Sequence, residues 1–253
     1  EGEKMNKVTV AFSIYLAWAV LFTFYKLPSG SPLTAPSYSF PLGTYINGSN
    51  MINVNARAIL DTMLFGLMVS WIEVGLGLSY GVIAGSSCGK ARSLMMRISD
   101  SVTSLPRVPL LMAVIILFST PEITFIRANF FLTALVVGLT GWSSMSRQIS
   151  EAVCRENPLT KIEEIEFTQR VYTSFRTVKS ITKRYVIPSI VDGIAVYTAL
   201  GVIAGVGDPN FPTLTTLLNS SRLFSYWWLF LPPAGFRALL LILIFLVSDY
   251  VVK

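Results

Sequence analysis

Long apolar runs separated by polar stretches dominate the chain. A membrane-spanning helix takes about 20 predominantly apolar residues, and the runs have about this length. The pattern therefore predicts six transmembrane helices, at residues 8–25, 59–85, 95–118, 128–145, 186–206 and 234–252. We expect an all-α, polytopic membrane protein that forms one integral membrane domain over residues 1–253.

The longest polar stretch between predicted helices, residues 147–185, has the pattern of a helix–turn–helix. Pro158 and the capping box from Thr160 to Glu163 are typical of a helix start. Apolar residues then recur at intervals of three and four, so one face of this helix is apolar and the other carries Lys and Arg. The stretch is a candidate docking element.

Basic residues predict the orientation of the helices in the membrane. Lys and Arg are concentrated in residues 147–185, in the turn after the second predicted helix and before the first one. Because cytoplasmic loops carry this excess, both termini are expected in the cytoplasm. Residues 26–57, 120–127 and 207–233 then face outside, and both Asn-x-Ser sequons, at Asn47 and Asn219, fall in these outer segments.

Composition narrows the classes of function. The chain is 53% hydrophobic and 13% charged, with mean hydropathy +0.60, whereas soluble domains have roughly 25% charged residues. It has no histidine, which removes the commonest general base and zinc ligand, and its two cysteines cannot form a metal site alone. The turn at residues 85–91 lacks the spacing of a phosphate-binding loop. An enzyme, a resident cofactor or a nucleic-acid partner is therefore not expected.

Three ionisable residues fall inside the apolar runs: Glu73, Arg107 and Asp192. A charge in the hydrocarbon region costs roughly 2.5–3.5 kcal/mol on insertion scales, so such residues usually face a bundle interior or a water-filled cavity. They are candidates for a translocation pathway. An internal ion pair that orients helices is an equal alternative. Arg237 lies closer to a predicted helix end, where an interfacial position is favoured.

Small residues mark faces where helices can approach closely. Glycines recur at four-residue intervals on the second and fifth predicted helices, which is typical of packed membrane helices. These candidate packing residues are Gly77, Gly81, Gly85, Gly201 and Gly205.

Four stretches, in the same order along the chain, resemble the permease subunits of oligopeptide/dipeptide-type ABC importers. These importers have two paired permeases, and the resemblance is to the second of them. The four stretches are Phe40-Pro41-Leu42-Gly43-Thr44 with Gly48-Ser49-Asn50, Met96-Arg97 with Asp100 and Leu105-Pro106, Gly138-Leu139-Thr140-Gly141-Trp142, and Ile187-Pro188. The last resembles the end of the family's "EAA" loop. Counted back from Pro188, the loop's glutamate falls on Gln169 and its glycine on Phe175, so the motif itself is degenerate.

The resemblance implies a type I permease fold and a half-channel. Such a permease pairs with a second permease and with two ATPase subunits, which bind the ATP and magnesium, and receives cargo from an external binding protein. Its cytoplasmic loop, here about residues 147–185, couples to an ATPase. The candidate coupling residues are Gln169, Arg170, Val171, Tyr172, Ser174, Phe175, Arg176 and Lys179.

Other functions stay open at this point. Short peptides are the default cargo, and oligosaccharides are the alternative within the same role. A stand-alone secondary transporter or channel would use Glu73 and Asp192 as ion-coupling groups. The basic helix pair in residues 147–185 could instead lie on the inner membrane surface against anionic lipid. A non-transport subunit of a membrane complex is a further class.

Overall fold

The computed structural model describes residues 2–87, 89–118, 129–156, 166–205, 207–208 and 210–251. These residues form α-helices with a longer non-helical segment, residues 25–50, between the first two, and the only strand pairing among them is two isolated bridges. The all-α prediction is confirmed for this part of the chain. The helices are α1 (Gly2–Phe24), α2 (Met51–Ser87), α3 (Gly89–Ser104), α4 (Arg107–Phe118), α5 (Phe130–Glu156), α6 (Phe167–Ala204), α7 (Leu214–Phe224) and α8 (Trp227–Val251).

Four of the described helices, α1, α2, α6 and α8, are long and apolar enough to cross a membrane. The count rises to five when α3 and α4 are taken as one bent span. The remaining predicted span corresponds to α5, which has sufficient length but whose second half is polar. The structure therefore supports a multi-pass membrane protein, and six spans stay a prediction.

The third predicted helix, residues 95–118, is not one helix. It is broken into α3 and α4, which meet at an angle of 73°. Leu105 and Pro106 form the break, because proline lacks the backbone N–H and disfavours a helical conformation in the preceding residue. Hydrogen bonds fix α3 against α5. Ser99 Oγ donates to the Ser143 carbonyl (3.0 Å), and Arg92 Nε donates to Ser150 Oγ (2.9 Å).

The fifth and sixth predicted helices begin earlier than predicted. Helix α6 runs without interruption from Phe167 and contains Pro188, which was expected to open the helix. Helix α8 begins at Trp227 and contains Pro232 and Pro233. Membrane helices tolerate such prolines where neighbouring groups satisfy the freed carbonyls. The predicted helix–turn–helix is thus largely an extension of α5 and α6, and its capping box lies outside the described residues.

Helix α2 forms the centre of the bundle and packs most extensively against α5. Gly77, Gly81 and Gly85 lie at this contact: a Cβ on Gly81 would be 2.7 Å from the Ser146 carbonyl oxygen, and one on Gly85 would be 2.6 Å from Val153 Cβ. Gly205 departs from its predicted packing role. It follows the last residue of α6 and caps the helix with φ +66°, a conformation that glycine adopts without steric cost.

The segment predicted as one outer loop, residues 207–233, contains the helix α7. Its N-cap is Thr213, whose hydroxyl accepts a bond from the Thr216 backbone N–H. Leu214, Leu217 and Leu218 are buried, so α7 closes one end of the core formed with α1, α2, α6 and α8. The spacing of these leucines is the sequence signal that the loop prediction missed.

Candidate functional site

Arg107, the first residue of α4, lies at the centre of a charged cluster. Its Nη2 donates to Glu73 Oε1 on α2 (2.5 Å) and to the Val137 carbonyl on α5 (2.9 Å). Its Nε donates to Thr140 Oγ1 (3.1 Å), and its Nη1 donates to Asp192 Oδ2 on α6. One guanidinium therefore connects four helices. The break before Arg107 places it there, because a straight helix from residue 95 would have a different path.

The two carboxylates of this cluster differ in exposure. The side chain of Glu73 is only 7% exposed, and its second oxygen accepts a bond from Ser189 Oγ on α6 (2.5 Å). The side chain of Asp192 is 47% exposed. Inside the bundle, the charge of Glu73 is therefore paired and both of its carboxylate oxygens accept hydrogen bonds. About half of the Asp192 side chain, in contrast, is exposed at the surface of the chain.

A cavity of about 260 Å³ opens next to the cluster. Its lining includes the three charged residues together with Gly141, Tyr185 and others. A Cβ on Gly141 would collide with the Glu73 carboxylate and the Arg107 guanidinium, so a glycine is required for the charges to lie against α5. The Gly138-Leu139-Thr140-Gly141-Trp142 stretch of the sequence therefore forms one wall of the cluster.

The structure brings together Glu73, Arg107 and Asp192, which the sequence had grouped as charges within apolar runs, and Arg107 forms ion pairs with both carboxylates. Sequence reasoning missed Ser189, Thr140 and Gly141, which complete the cluster. Thr140 and Gly141 lie in one of the stretches that carry the resemblance, and Ser189 follows Pro188. Their position in or next to these stretches was the only sequence signal that could have identified them.

The candidate coupling residues lie on the first turns of α6 and point in different directions. Tyr172 is 74% exposed and Phe175 is 39% exposed, and both are accessible for a partner. Gln169, Arg176 and Lys179 are also exposed. Ser174 is fully buried and its hydroxyl lies 3.0 Å from Ser86 Oγ on α2, so it packs within the bundle.

Two further candidates, Val171 and Arg170, are less exposed than Tyr172. Val171 is half-buried against the core cluster of Val82, Ile149 and Val153, and Arg170 is half-buried as well. Fewer residues are therefore exposed to a partner than the eight that the sequence predicts for coupling.

The stretch from Phe40 to Asn50 lies between α1 and α2, in the segment that the sequence predicts to face outside; we call residues 25–50 the outer segment. Gly43 has φ +77°, and a Cβ there would be 2.7 Å from the Thr34 carbonyl oxygen. Thr44 is buried and its Oγ1 donates to the Ser31 carbonyl (2.6 Å). The Asn50 side chain accepts the Ile52 backbone N–H (3.0 Å) as the cap of α2, a function that Asn or Asp can serve.

This outer segment, α1, α2 and α7 enclose a polar cavity of about 590 Å³. Lys26, Asn47, Asn53, Arg57 and Ser220 are among its lining residues. The Arg57 side chain donates to the Asn210 carbonyl (2.9 Å) and so ties α2 to the segment before α7. The cavity lies at the end of the bundle opposite to Tyr172 and Phe175.

Comparison with known proteins identifies relatives over most of the chain. The oligopeptide transport system permease protein OppC of Haemophilus influenzae is 26% identical over 211 residues, 78% of this chain and 63% of that protein. The chain thus spans less than two thirds of the length of this relative. The OppC protein of Mycobacterium tuberculosis is 24% identical over 243 residues, which cover 90% of this chain and 79% of that protein.

A dipeptide transport system permease protein, DppC of Lactococcus lactis subsp. cremoris, is 21% identical over 221 residues, 81% of this chain and 60% of that protein. No family model matches the chain. The resemblance to oligopeptide and dipeptide permeases is confirmed. These relatives are named as permease proteins of oligopeptide and dipeptide transport systems.

Proposed function

We propose that this chain is the transmembrane permease subunit of an ATP-driven ABC importer for short peptides. The supporting relatives are named as oligopeptide and dipeptide permeases, and the similarity extends over most of the chain. In this proposal the chain is one membrane domain with a type I fold and six spans, with α5 as the span of intermediate polarity. Both termini are cytoplasmic, and the protein lies in the cell membrane.

The observation that carries the proposal is the continuity of α6. The helix connects the exposed Phe175 to Asp192, a distance of roughly 26 Å at 1.5 Å per residue. A displacement at one end of a continuous helix can be transmitted along it to the other end. Movement of an ATPase docked on Tyr172 and Phe175 would therefore reach the charged cluster directly.

The charged cluster is the part of the pathway that such a movement would change. Glu73 and Arg107 lie on α2 and α4, while Ser189 and Asp192 move with α6. A displacement of α6 separates Asp192 from Arg107 and leaves a free carboxylate at the cavity. We propose that these residues line the translocation pathway, on the side where a second permease completes it.

The other subunits follow from the same proposal. Two ATPases bind the ATP and magnesium and dock at the first turns of α6, with Tyr172 and Phe175 as aromatic anchors of the kind that dominate interfaces. An external binding protein delivers cargo to the opposite end, where the ordered outer segment lies. Oligosaccharides are the alternative cargo, since the binding protein selects it.

The stand-alone secondary transporter has less support. A coupling carboxylate has to release and rebind an ion, but Glu73 is held by both Arg107 and Ser189. Gradient-driven uptake by vesicles that contain only this chain would favour that class.

Replacing Phe175 by Asp tests the proposal. A carboxylate at an apolar anchor is desolvated on docking, so we expect at least a tenfold loss of ATP-driven peptide uptake by the reconstituted complex. The ATPase subunits should also be lost from the complex on purification. Tyr38, which is fully exposed in the outer segment, provides the matched control, and Tyr38→Asp should keep ATPase binding. Full uptake and full ATPase retention in Phe175→Asp would refute the docking assignment.

A further inference from the structure

A third cavity lies between α6, α7 and α8. Its volume is about 560 Å³. The lining is apolar apart from two arginines, Arg222 and Arg237, and includes Val202, Leu218, Phe230 and Leu241. Apolar walls with two guanidinium groups are an unusual combination for a surface that faces a membrane.

Arg237 lies well inside α8. The helix begins at Trp227, so Arg237 is roughly 15 Å along it and was wrongly placed near a helix end by the sequence. Its neighbours in the helix are apolar, and a guanidinium among them is costly without a counter-charge. Side chains of a helix lean toward its N-terminus, which directs this guanidinium toward Arg222 and the aromatic end of α8.

Arg237 has no counter-charge within the described residues. Each ion pair found there involves another arginine, and no carboxylate lies within 4.0 Å of Arg237 or Arg222. The Nε of Arg237 is buried and has no hydrogen-bond partner among the described residues. Arg222 donates from Nη1 to the Val202 carbonyl (2.6 Å), which places its positive charge at the rim of the same cavity.

We propose that this cavity binds one anionic phospholipid. The phosphate of the headgroup would lie between Arg222 and Arg237, where it would accept hydrogen bonds from both guanidiniums. An acyl chain would cover the apolar walls formed by Leu218, Phe230 and Leu241. Basic pockets between membrane helices bind lipid headgroups in this way, and the two positive charges select a lipid with net negative charge. The site does not depend on the proposed transport function.

Native mass spectrometry of the purified full chain in detergent tests the site. Phosphatidylglycerol and phosphatidylcholine are titrated separately, and soluble glycerol phosphate is added as a competitor. We expect one phosphatidylglycerol adduct that binds several-fold more tightly than phosphatidylcholine, because only the former is anionic. Glycerol phosphate should not compete, because it lacks the acyl chains.

Variants separate charge from fold. Each basic residue near an anionic lipid surface contributes about a fivefold factor, so Arg237→Gln and Arg222→Gln should each weaken phosphatidylglycerol binding by about fivefold. Arg237→Lys keeps the charge and should retain most of the binding, which excludes a general folding defect. Lys26→Gln removes a positive charge from the other cavity, at the outer segment, and should leave the affinity unchanged.

Three outcomes would overturn the proposal. The first is equal affinity for phosphatidylglycerol and phosphatidylcholine. The second is unchanged phosphatidylglycerol affinity in an Arg222→Gln, Arg237→Gln double variant that elutes as the wild-type chain does on gel filtration. The third is displacement by glycerol phosphate, which would assign the arginines to a soluble anion instead of a lipid.

Discussion

Arg107 and Arg237 both lie in apolar helices of the same bundle, but their surroundings differ. Arg107 donates hydrogen bonds to Glu73, Asp192, Thr140 and a carbonyl, and it is surrounded by four helices. Arg237 has no carboxylate near it within the described residues, and its Nε lacks a partner there. Within the described residues, carboxylates therefore neutralise Arg107, whereas the charge of Arg237 is available to an anionic ligand.

An arginine in an apolar run can therefore have either of two functions. At both Arg107 and Arg237, placing a charged guanidinium among apolar residues costs free energy. Arg107 contributes to the arrangement of the helices, because its removal would leave the buried carboxylate of Glu73 without a counter-charge. Arg237 contributes to binding, because its charge is unused until a ligand arrives.

The largest effect is expected from Arg107→Gln. The change leaves the Glu73 carboxylate buried without its counter-charge, and loss of one partner of a buried pair costs about 3–5 kcal/mol. We expect a loss of this order in the free energy of unfolding of the detergent-solubilised chain. Arg97→Gln, on the exposed side of α3, is the matched control and should change it little.

Adding Glu73→Gln to the Arg107→Gln variant should recover part of the loss, since the double variant no longer contains a buried unpaired charge. A double variant that is less stable than Arg107→Gln would contradict the ion-pair account of the cluster.

The next effect concerns the helix contact that brings Glu73 to Arg107. Gly81→Ala places a Cβ 2.7 Å from the Ser146 carbonyl, and backbone cannot yield as a flexible side chain can. We expect a loss of about 1–3 kcal/mol in the free energy of unfolding, as for other overpacked sites. Gly75→Ala on the same helix meets no atom within 4 Å and serves as the control. Equal stability of the two variants would argue against the close α2–α5 contact.

Asp192→Asn should separate stability from transport. Its side chain is half exposed, so loss of its ion pair should lower the free energy of unfolding by about 1 kcal/mol or less. Peptide uptake by the reconstituted complex should fall more strongly, because this carboxylate borders the cavity. A variant that transports at the wild-type rate would place the pathway elsewhere.

The smallest effect on stability is expected from Arg237→Gln. In detergent without added phospholipid, the free energy of unfolding of this variant should lie within about 0.5 kcal/mol of the wild-type value, because Arg237 has no ion-pair partner among the described residues. Phosphatidylglycerol should raise the unfolding temperature of the wild-type chain more than that of the variant, because a ligand of the folded state stabilises less when it binds more weakly. A large loss of stability without lipid would mean that Arg237 acts within the bundle, as Arg107 does.

Much of the fold was predictable from apolar run length. The positions of α1, α2 and α8 follow from it, because a helix is the simplest way to satisfy backbone groups in hydrocarbon. The breaks and extensions were less predictable. Pro106 separates two helices, whereas Pro188 lies inside one, so the residue type alone does not decide whether a helix breaks.

The charged cluster was predictable only in part. Glu73, Arg107 and Asp192 stand out in the sequence because charges are rare in apolar runs. Ser189 and Gly141 carry no such signal, since serine and glycine are common in membrane helices. Their importance comes from positions on other helices, where one donates to Glu73 and the other leaves space for it.

By itself, the sequence determined the membrane class, the all-helical architecture and the resemblance to peptide permeases, because composition and apolar length are properties of the chain alone. The tertiary structure decided which charges neutralise each other and which do not. Arg107 and Arg237 look alike in sequence, and only the packing of α2, α4, α5 and α6 brings carboxylates to one of them. Electrostatic pairing depends on distance in space, which spacing along the chain does not specify.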